Sequence, residues 1–302
     1  MLKEQGHPVN VICEVLGISR SKYYRKKGKT RSCNERSKTK KSDEEKIVGI
    51  MKKIKNKRPY FGYRRMFAWL RRKEKVFINK KKVYRLMKEN ELLCKVKRHK
   101  VKRSSSGRTK PKPSRKNEWW GIDMTKFLVS NLGWVYLVVV LDWWTKKIIG
   151  WNVSVRCRSK EWIKALDDAV DESCPAGSRE YGIHLMSDNG CQPTSVAFMN
   201  ECEELGIEQA FTSYDNPKGN ADTERVIRTL KEECIWLNEW ETLEETQKGI
   251  ARGIADYNAN HIHYALNYLT PNEFDEKYEN EVAVVYERKS REYSPFSANF
   301  VS

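Results

Sequence analysis

Apolar residues along this chain recur with two different periods, and the change from one to the other divides it. Within residues 8–27, Val11, Ile12, Val15, Leu16 and Ile18 sit at helical spacing around Gly17, a turn residue, and Ser19 is placed to cap a second short helix. The pattern suits a helix-turn-helix over residues 1–30 whose second helix presents Arg20, Lys22, Tyr23 and Arg25. An ordinary helical hairpin with a basic surface is the alternative. Residues 28–42, rich in Lys, Ser and Thr, are expected to be a linker. Three further helices are predicted over 43–55, 63–73 and 79–90, with apolar positions Ile47, Ile50, Met51 and Ile54, then Met66, Phe67 and Leu70, then Val83, Leu86 and Met87. Basic residues fall largely between these core positions, among them Arg64, Arg65, Arg71, Arg72, Lys80 and Arg85, where they suit phosphate contacts.

Residues 95–116 are half Lys or Arg, with Ser and Pro, and cannot bury a core; an extended basic tether is expected. From Glu118 the period changes. GIDMTKFLV, WVYLVVVLDWW and KIIGWNVSV are β-rich runs joined by short turns at 131–133 and 145–147, the pattern of an antiparallel meander. A helix is predicted over 159–172, a strand in GIHLMSD, a helix over 195–205, a strand in GIEQAFTS, and helices over 221–234 and 243–258. Three antiparallel strands followed by alternating helix and strand is the order of an α/β, ribonuclease-H-like mixed sheet flanked by helices. The expected domains are a helix-turn-helix segment (1–30), a helical domain (43–92), a basic linker (93–117), the ribonuclease-H-like core (118–275) and a C-terminal tail (276–302).

Charge sharpens this division. The 302 residues carry a net charge of +18, but residues 1–117 hold 40 Lys and Arg against 9 Asp and Glu, whereas residues 118–302 hold 18 against 31. The all-α N-terminal part is therefore expected to bind a polyanion, and the acidic part to do chemistry. The eight cysteines show no CxxC pair and no Cys/His cluster at ligand spacing, which favours scattered reduced thiols over disulfides or zinc. There is no apolar run of about 18 residues and no charged-then-apolar leader, so a soluble intracellular protein is expected.

Three acids stand out by position. Asp123 lies in the first predicted strand between Ile122 and Met124, on the opposite face, and an unpaired acid in mid-strand is costly to bury. Asp188 ends the fourth strand in SDNG, where strand C-termini open onto ligand crevices. Glu224 lies near the start of a helix within NADTERVIRTLKEE. Brought together, three carboxylates repel one another unless cations neutralise them, and an all-oxygen set suits Mg²⁺ or Mn²⁺. Two such ions can activate a water or a 3′-hydroxyl and stabilise the leaving oxygen of an in-line displacement at phosphorus. No Ser/His/Asp or Cys/His arrangement competes convincingly, and no Gly-rich phosphate loop is present. Taken singly, each acid is as readily a surface residue.

In order along the chain, WWGIDMTKF, LDWWTKKIIGWNVS, SDNGCQPTS, GNADTERVIRTLKEE and YNANHIHYALNYLTPNEF resemble the catalytic core of DDE transposases and retroviral-type integrases, most closely the second-frame product of the insertion-sequence-three family. Thirty-five residues separate Asp188 from Glu224, and Lys231 follows Glu224 by seven, as the family pattern asks. Seven positions is about two helical turns, so Lys231 shares a face with Glu224 and is placed to hold a phosphate or base of DNA. Arg225 and Arg228 are candidates for further phosphate contacts, and the resemblance places Lys218, Gly219 and Asn220 in a loop at the active-site mouth. Asp142 also matches a family position, but it ends a strand and is expected to fix the turn at Thr145. His261 and Ile262 stand where the family has Arg and Pro. His261 and His263 are expected to hydrogen-bond where the last helix packs, not to hold zinc. YFGYRRMFAWLRRKEKVFINKKKVYRLMKENELL resembles the family's helical DNA-binding domain and lacks the His/Cys zinc site of retroviral integrases, which favours the bacterial branch.

The resemblance implies a metal-dependent transposase in which Asp123, Asp188 and Glu224 hold two Mg²⁺ or Mn²⁺ ions. It implies double-stranded DNA as partner, both the terminal repeats of an element and its target, with Arg20, Lys22, Arg64 and Arg65 among the contacts. It further implies a homo-oligomer on DNA, an upstream-frame partner protein and a cytoplasmic, nucleoid-associated location in a bacterium. The alternatives are a DNA-binding regulator that no longer cuts and a ribonuclease-H-like nuclease that cuts without joining.

Overall fold

The computed structural model describes residues 8–17, 33–94, 111–212 and 219–279, with backbone alone over 33–42. The chain divides into two compact units, Met1–Lys53 and Ile54–Ser302. In the first, helix α1 (Val9–Val15) buries Ile12 and Cys13, and Gly17 takes a φ of +61° just beyond it, forming the expected turn. The second helix of the expected pair, with Arg20 and Lys22, lies outside the described residues, as do 95–110, Lys218 and the tail from 280. Helix α2 (Cys33–Lys57) starts ahead of the predicted 43, so residues 33–42 are helix and not linker. That stretch holds neither Gly nor Pro, and its Lys residues are good helix formers.

In the second unit, helices α3 (Tyr63–Arg72) and α4 (Lys80–Glu89) pack on each other, with Met66 and Leu70, and Val83, Leu86 and Met87, as their buried positions. Asn79 caps α4 by accepting from the Lys81 N–H at 2.9 Å. The sheet comprises β1 (Trp119–Val129), β2 (Gly133–Asp142), β3 (Ile148–Ser154), β4 (His184–Ser187) and β5 (Glu208–Phe211), in the order β3-β2-β1-β4-β5. The first three form the antiparallel meander, and β4 and β5 add in parallel beside β1. This is the ribonuclease-H-like arrangement.

Four helices complete the core: α5 (Ser159–Ser173), α6 (Val196–Glu204), α7 (Ala221–Glu233) and α8 (Leu243–Asn260). Strand alternation decides which side each residue serves. Leu137, Val139 and Leu141 of β2 pack with Val226, Ile227 and Leu230 of α7 and Ile250 and Ile254 of α8. Val138 and Val140 pack on the other face with Trp162, Leu166 and Ala169 of α5 and Phe198 of α6. A strand covered on both faces has no polar side to show, which explains the unbroken valine run. Among the described residues, no helix is long and apolar enough to cross a membrane.

Candidate active site

β1 and β4 pair in parallel from Trp119↔His184 to Gly121↔Met186. Asp123 and Asp188 each lie two residues past the last pair. Met186 belongs to the layer under α7 and α8, so Asp123, in step with its partner Gly121, lies on the α7 side of the sheet. Asp188 is held just beyond β4, its Oδ1 accepting from the Gly190 N–H at 3.0 Å.

The first turn of α7 is pinned over β1. The buried Asn220 side-chain amide donates to the Ile122 carbonyl at 3.0 Å, and the Trp143 indole N–H donates to Thr223 Oγ1 at 3.1 Å. Lys146 Nζ lies 2.7 Å from Asp222 Oδ2. Gly121 permits this approach: a Cβ there would stand 2.1 Å from Thr223 Oγ1 and 2.4 Å from Trp143 Nε1. Thr223 is buried under β1, and the next residue, Glu224, is exposed on the same first turn of α7.

Asp123 is half-buried and accepts a hydrogen bond from the Met124 N–H at 2.8 Å. Its carboxyl is pushed up to about 7. Burial is the main cause; the Met124 N–H works against it, the charges of Asp188 and Glu224 push further up, and Lys231 pulls down. The charges of Asp188, Glu224 and Lys231 thus all act on the Asp123 carboxyl. Among the described residues, no three His, Cys, Asp or Glu side chains are drawn in closely enough to hold a metal ion.

The remaining predicted residues are spread more widely. Arg225 and Arg228 are exposed on α7, Arg228 in a 2.9 Å pair with Glu232. Arg64 is exposed on α3, whereas Arg65 is half-buried 5.9 Å from the Phe61 ring. Asp142 is structural, as expected: it is buried and accepts from the N–H groups of Asn117, Trp144 and Thr145 at 2.7–2.8 Å. The described cysteines are all free, and burial pushes Cys202 up to about 12.

His261 and His263 do bond where α8 ends. His263 Nε2 is 3.0 Å from the Tyr257 hydroxyl and His261 Nδ1 is 3.2 Å from Glu233 Oε2. Burial holds both rings below the usual histidine range. Burial works to raise Glu233, but the hydrogen bond and charge of His261 and the charges of Arg58 and Arg65 outweigh it and leave the carboxyl below its ordinary range. Sequence reasoning missed Arg58, whose buried guanidinium reaches Glu233 at 2.8 Å and Asp256 at 2.6 Å. Nothing in its local context distinguishes it from its many basic neighbours.

Comparison with known proteins identifies the family. Family profiles for an Integrase core domain match residues 113–217 and 205–271, and that for an HTH-like domain matches 41–100. Transposase InsK for insertion sequence element IS150 of Escherichia coli (strain K12) is 32% identical over 246 residues, 77% of this chain and 85% of that protein. The transposase for insertion sequence element IS904 of Lactococcus lactis subsp. lactis (strain IL1403) is 30% identical over 214 residues, 67% of this chain and 82% of that one. Among solved structures, the HTLV-2 integrase catalytic core domain in complex with magnesium is 17% identical, covers 54% of this chain and 99% of its own, and superposes with a TM-score of 0.42.

Proposed function

The chain belongs to the insertion-sequence transposases that carry an integrase core domain, and we propose that Asp123, Asp188 and Glu224 are the acids with which it cuts and joins DNA. Its reaction is polynucleotidyl transfer, cleavage followed by strand transfer. The observation that carries the residue assignment is the carboxyl of Asp123, pushed up to about 7 by burial and by the charges of Asp188 and Glu224. An acid that holds its charge so poorly beside two more acids suits a cation.

The donor set fits a hard divalent ion, since it offers carboxylate oxygens alone. Asp188 and Glu224 are exposed, which leaves both side chains free to turn inward. Two Mg²⁺ or Mn²⁺ ions held by these acids would supply the charge that steadies the attacking and leaving oxygens at phosphorus. The attacking oxygen is that of water in cleavage and of a 3′-hydroxyl in joining; the opposite ester oxygen leaves in line. Asp123, on a central strand, is the fixed member of the set. Asp188 is oriented by the Gly190 N–H, and Asn220 and Thr223 keep the first turn of α7 against β1. Lys231, two turns beyond Glu224 on the same side of α7, binds a phosphate or base of the DNA end.

Double-stranded DNA, both element ends and target, is engaged by the N-terminal helices through residues including Arg20, Lys22, Arg64 and Arg65, and by Lys218, Arg225 and Arg228 near the acids. The chain works as a homo-oligomer on DNA, with an upstream-frame protein as a further partner, in the bacterial cytoplasm. The test uses oligonucleotides carrying the element end. Asp123→Asn, Asp188→Asn and Glu224→Gln each abolish Mn²⁺-dependent strand transfer while DNA binding persists. Full activity in any one of them removes that acid from the site, and cleavage without any joined product makes the chain a nuclease.

A further inference from the structure

Away from the acids, five side chains from α3, α4 and the turn 263–269 form a continuous row of rings and charge. Tyr84 meets Tyr63 edge to face, with centroids 5.2 Å apart. The Arg64 guanidinium stands 5.8 Å from the Tyr63 ring and 5.8 Å from the Tyr264 ring. Tyr264 in turn meets Tyr268 at 5.5 Å. Tyr264 is 70% exposed and Tyr84 44%, and Arg64 is exposed without a carboxylate partner among the described residues.

Two features argue that this surface is kept for a ligand. Asn267 and Tyr268 take φ values of 53° and 63°, a left-handed conformation that asparagine adopts readily but that is costly for a bulky residue such as Tyr268 and is tolerated there where the surroundings enforce it. Here they do: the Tyr268 N–H donates to the His263 carbonyl at 2.8 Å, and the Arg72 guanidinium donates to the Tyr268 carbonyl while pairing with Glu273 at 2.8 Å. The second feature is charge. On α4, Lys80, Lys81 and Lys88 are exposed at one-turn spacing from Tyr84, so the rings lie along a basic stripe.

Exposed rings flanked by positive charge match a partner that offers π-faces and negative charge together. A closed duplex offers phosphates but keeps its base faces stacked, whereas single-stranded DNA offers both. We propose that the row Tyr84, Tyr63, Arg64, Tyr264 and Tyr268 is a stacking platform for unpaired DNA bases. The proposal rests on the reading of the chain as a DNA-processing enzyme, but binding to the platform needs neither the acids nor a divalent ion.

The test measures binding of the full-length chain, in EDTA, to a fluorescent oligothymidylate and to a blunt duplex of equal length. The wild-type chain binds both. Tyr264→Ala or Tyr84→Ala weakens single-strand binding about 5- to 150-fold, the range for loss of one stacked base, with duplex affinity unchanged. Tyr264→Phe keeps the ring and restores single-strand binding, and unchanged thermal unfolding of each variant shows that the fold is intact. The proposal is overturned if the wild-type chain ignores the oligothymidylate, if the alanine variants bind it normally, if duplex affinity falls equally, or if Phe proves as weak as Ala. Loss of strand transfer in the acid variants is read separately, so a platform without catalysis, or catalysis without a platform, is recognised as such.

Discussion

Adding one methyl group at Gly121 tests the proposal that α7 positions Glu224. In Gly121→Ala the new Cβ would lie 2.1 Å from Thr223 Oγ1, 2.4 Å from Trp143 Nε1 and 2.8 Å from Asn220 Oδ1. All three neighbours are buried, and the first two hydrogen-bond each other, so none can swing into solvent. Relief requires α7 to lift from β1, and the Trp143 ring to shift as well, by more than about 1 Å, the shortfall from an ordinary non-bonded contact. Overpacking of this kind costs about 1–3 kcal/mol. At roughly 2–4 °C per kcal/mol for a domain of this size, Tm falls by about 2–12 °C. The chemistry should suffer more, because a displacement of about 1 Å at a reacting group can cost about 100-fold in rate. The assay pairs thermal unfolding with Mn²⁺-dependent strand transfer on pre-cut ends, and end binding serves as the control. A variant with wild-type Tm and strand transfer would refute the idea that the close approach at Gly121 sets the position of Glu224.

Two further outcomes follow from the charges. Arg58→Met strips Glu233 of the guanidinium 2.8 Å away while leaving its side chain 10% exposed, at a cost of about 3–5 kcal/mol, read as a lower urea midpoint; an unmoved midpoint would mean that Arg58 contributes nothing Glu233 needs. The second concerns pH. The Asp123 carboxyl lies at about 7 in the fold against an ordinary 3.8, so the native chain keeps a proton that the unfolded chain releases, and this contribution to stability declines as pH rises between those values. Because Mg²⁺ or Mn²⁺ must displace that proton, the rise in Tm on adding the ion is larger at pH 8 than at pH 6. Equal rises at both would sink the assignment of Asp123 as a ligand.

What could be read in advance was whatever depends on near neighbours in sequence. The alternation in GIDMTKFLV put Asp123 on the face opposite Ile122 and Met124, and β1 has that pattern. The valine run of β2 and the 3.6-residue spacing of α5 and α7 likewise marked their elements. Residues 33–42 misled because a Lys/Ser/Thr-rich composition signals solvent exposure as readily as it signals a linker. The contacts that assemble the site were not legible, because no local rule relates their partners. Asn220 bonds to Ile122 from 98 positions away and Trp143 to Thr223 from 80. Asn220 occupies the position before α7 where a side-chain cap is common, yet it makes no cap and turns its amide to the sheet. Arg58, 175 positions from Glu233, looked like any other lysine or arginine of a basic segment.

The three acids differ in what holds them, and the difference follows from their elements. Asp123 stands on a strand paired across to Val139 of β2 and inherits the stiffness of the sheet. Asp188 stands where β4 ends and is steadied by one turn hydrogen bond. Glu224 depends on a whole helix, and that helix is fixed at both ends. Its first turn is tied to β1 through Asn220 and Thr223; its last turn carries Glu233, roughly 14 Å along the axis at 1.5 Å per residue, which is gripped by Arg58 just ahead of α3. Charged contacts therefore reach the catalytic fold from the segment that also carries the exposed basic rows of α3 and α4: Arg58 to Glu233 and Asp256, and Arg72 and Lys73 to Glu273. A substitution at Arg58 acts on Glu224 through one continuous helix, whereas it has no comparable route to Asp123. Loss of that grip should thus impair the chemistry by misplacing the helical acid while leaving the sheet acid, and with it the raised carboxyl of Asp123, largely as it was.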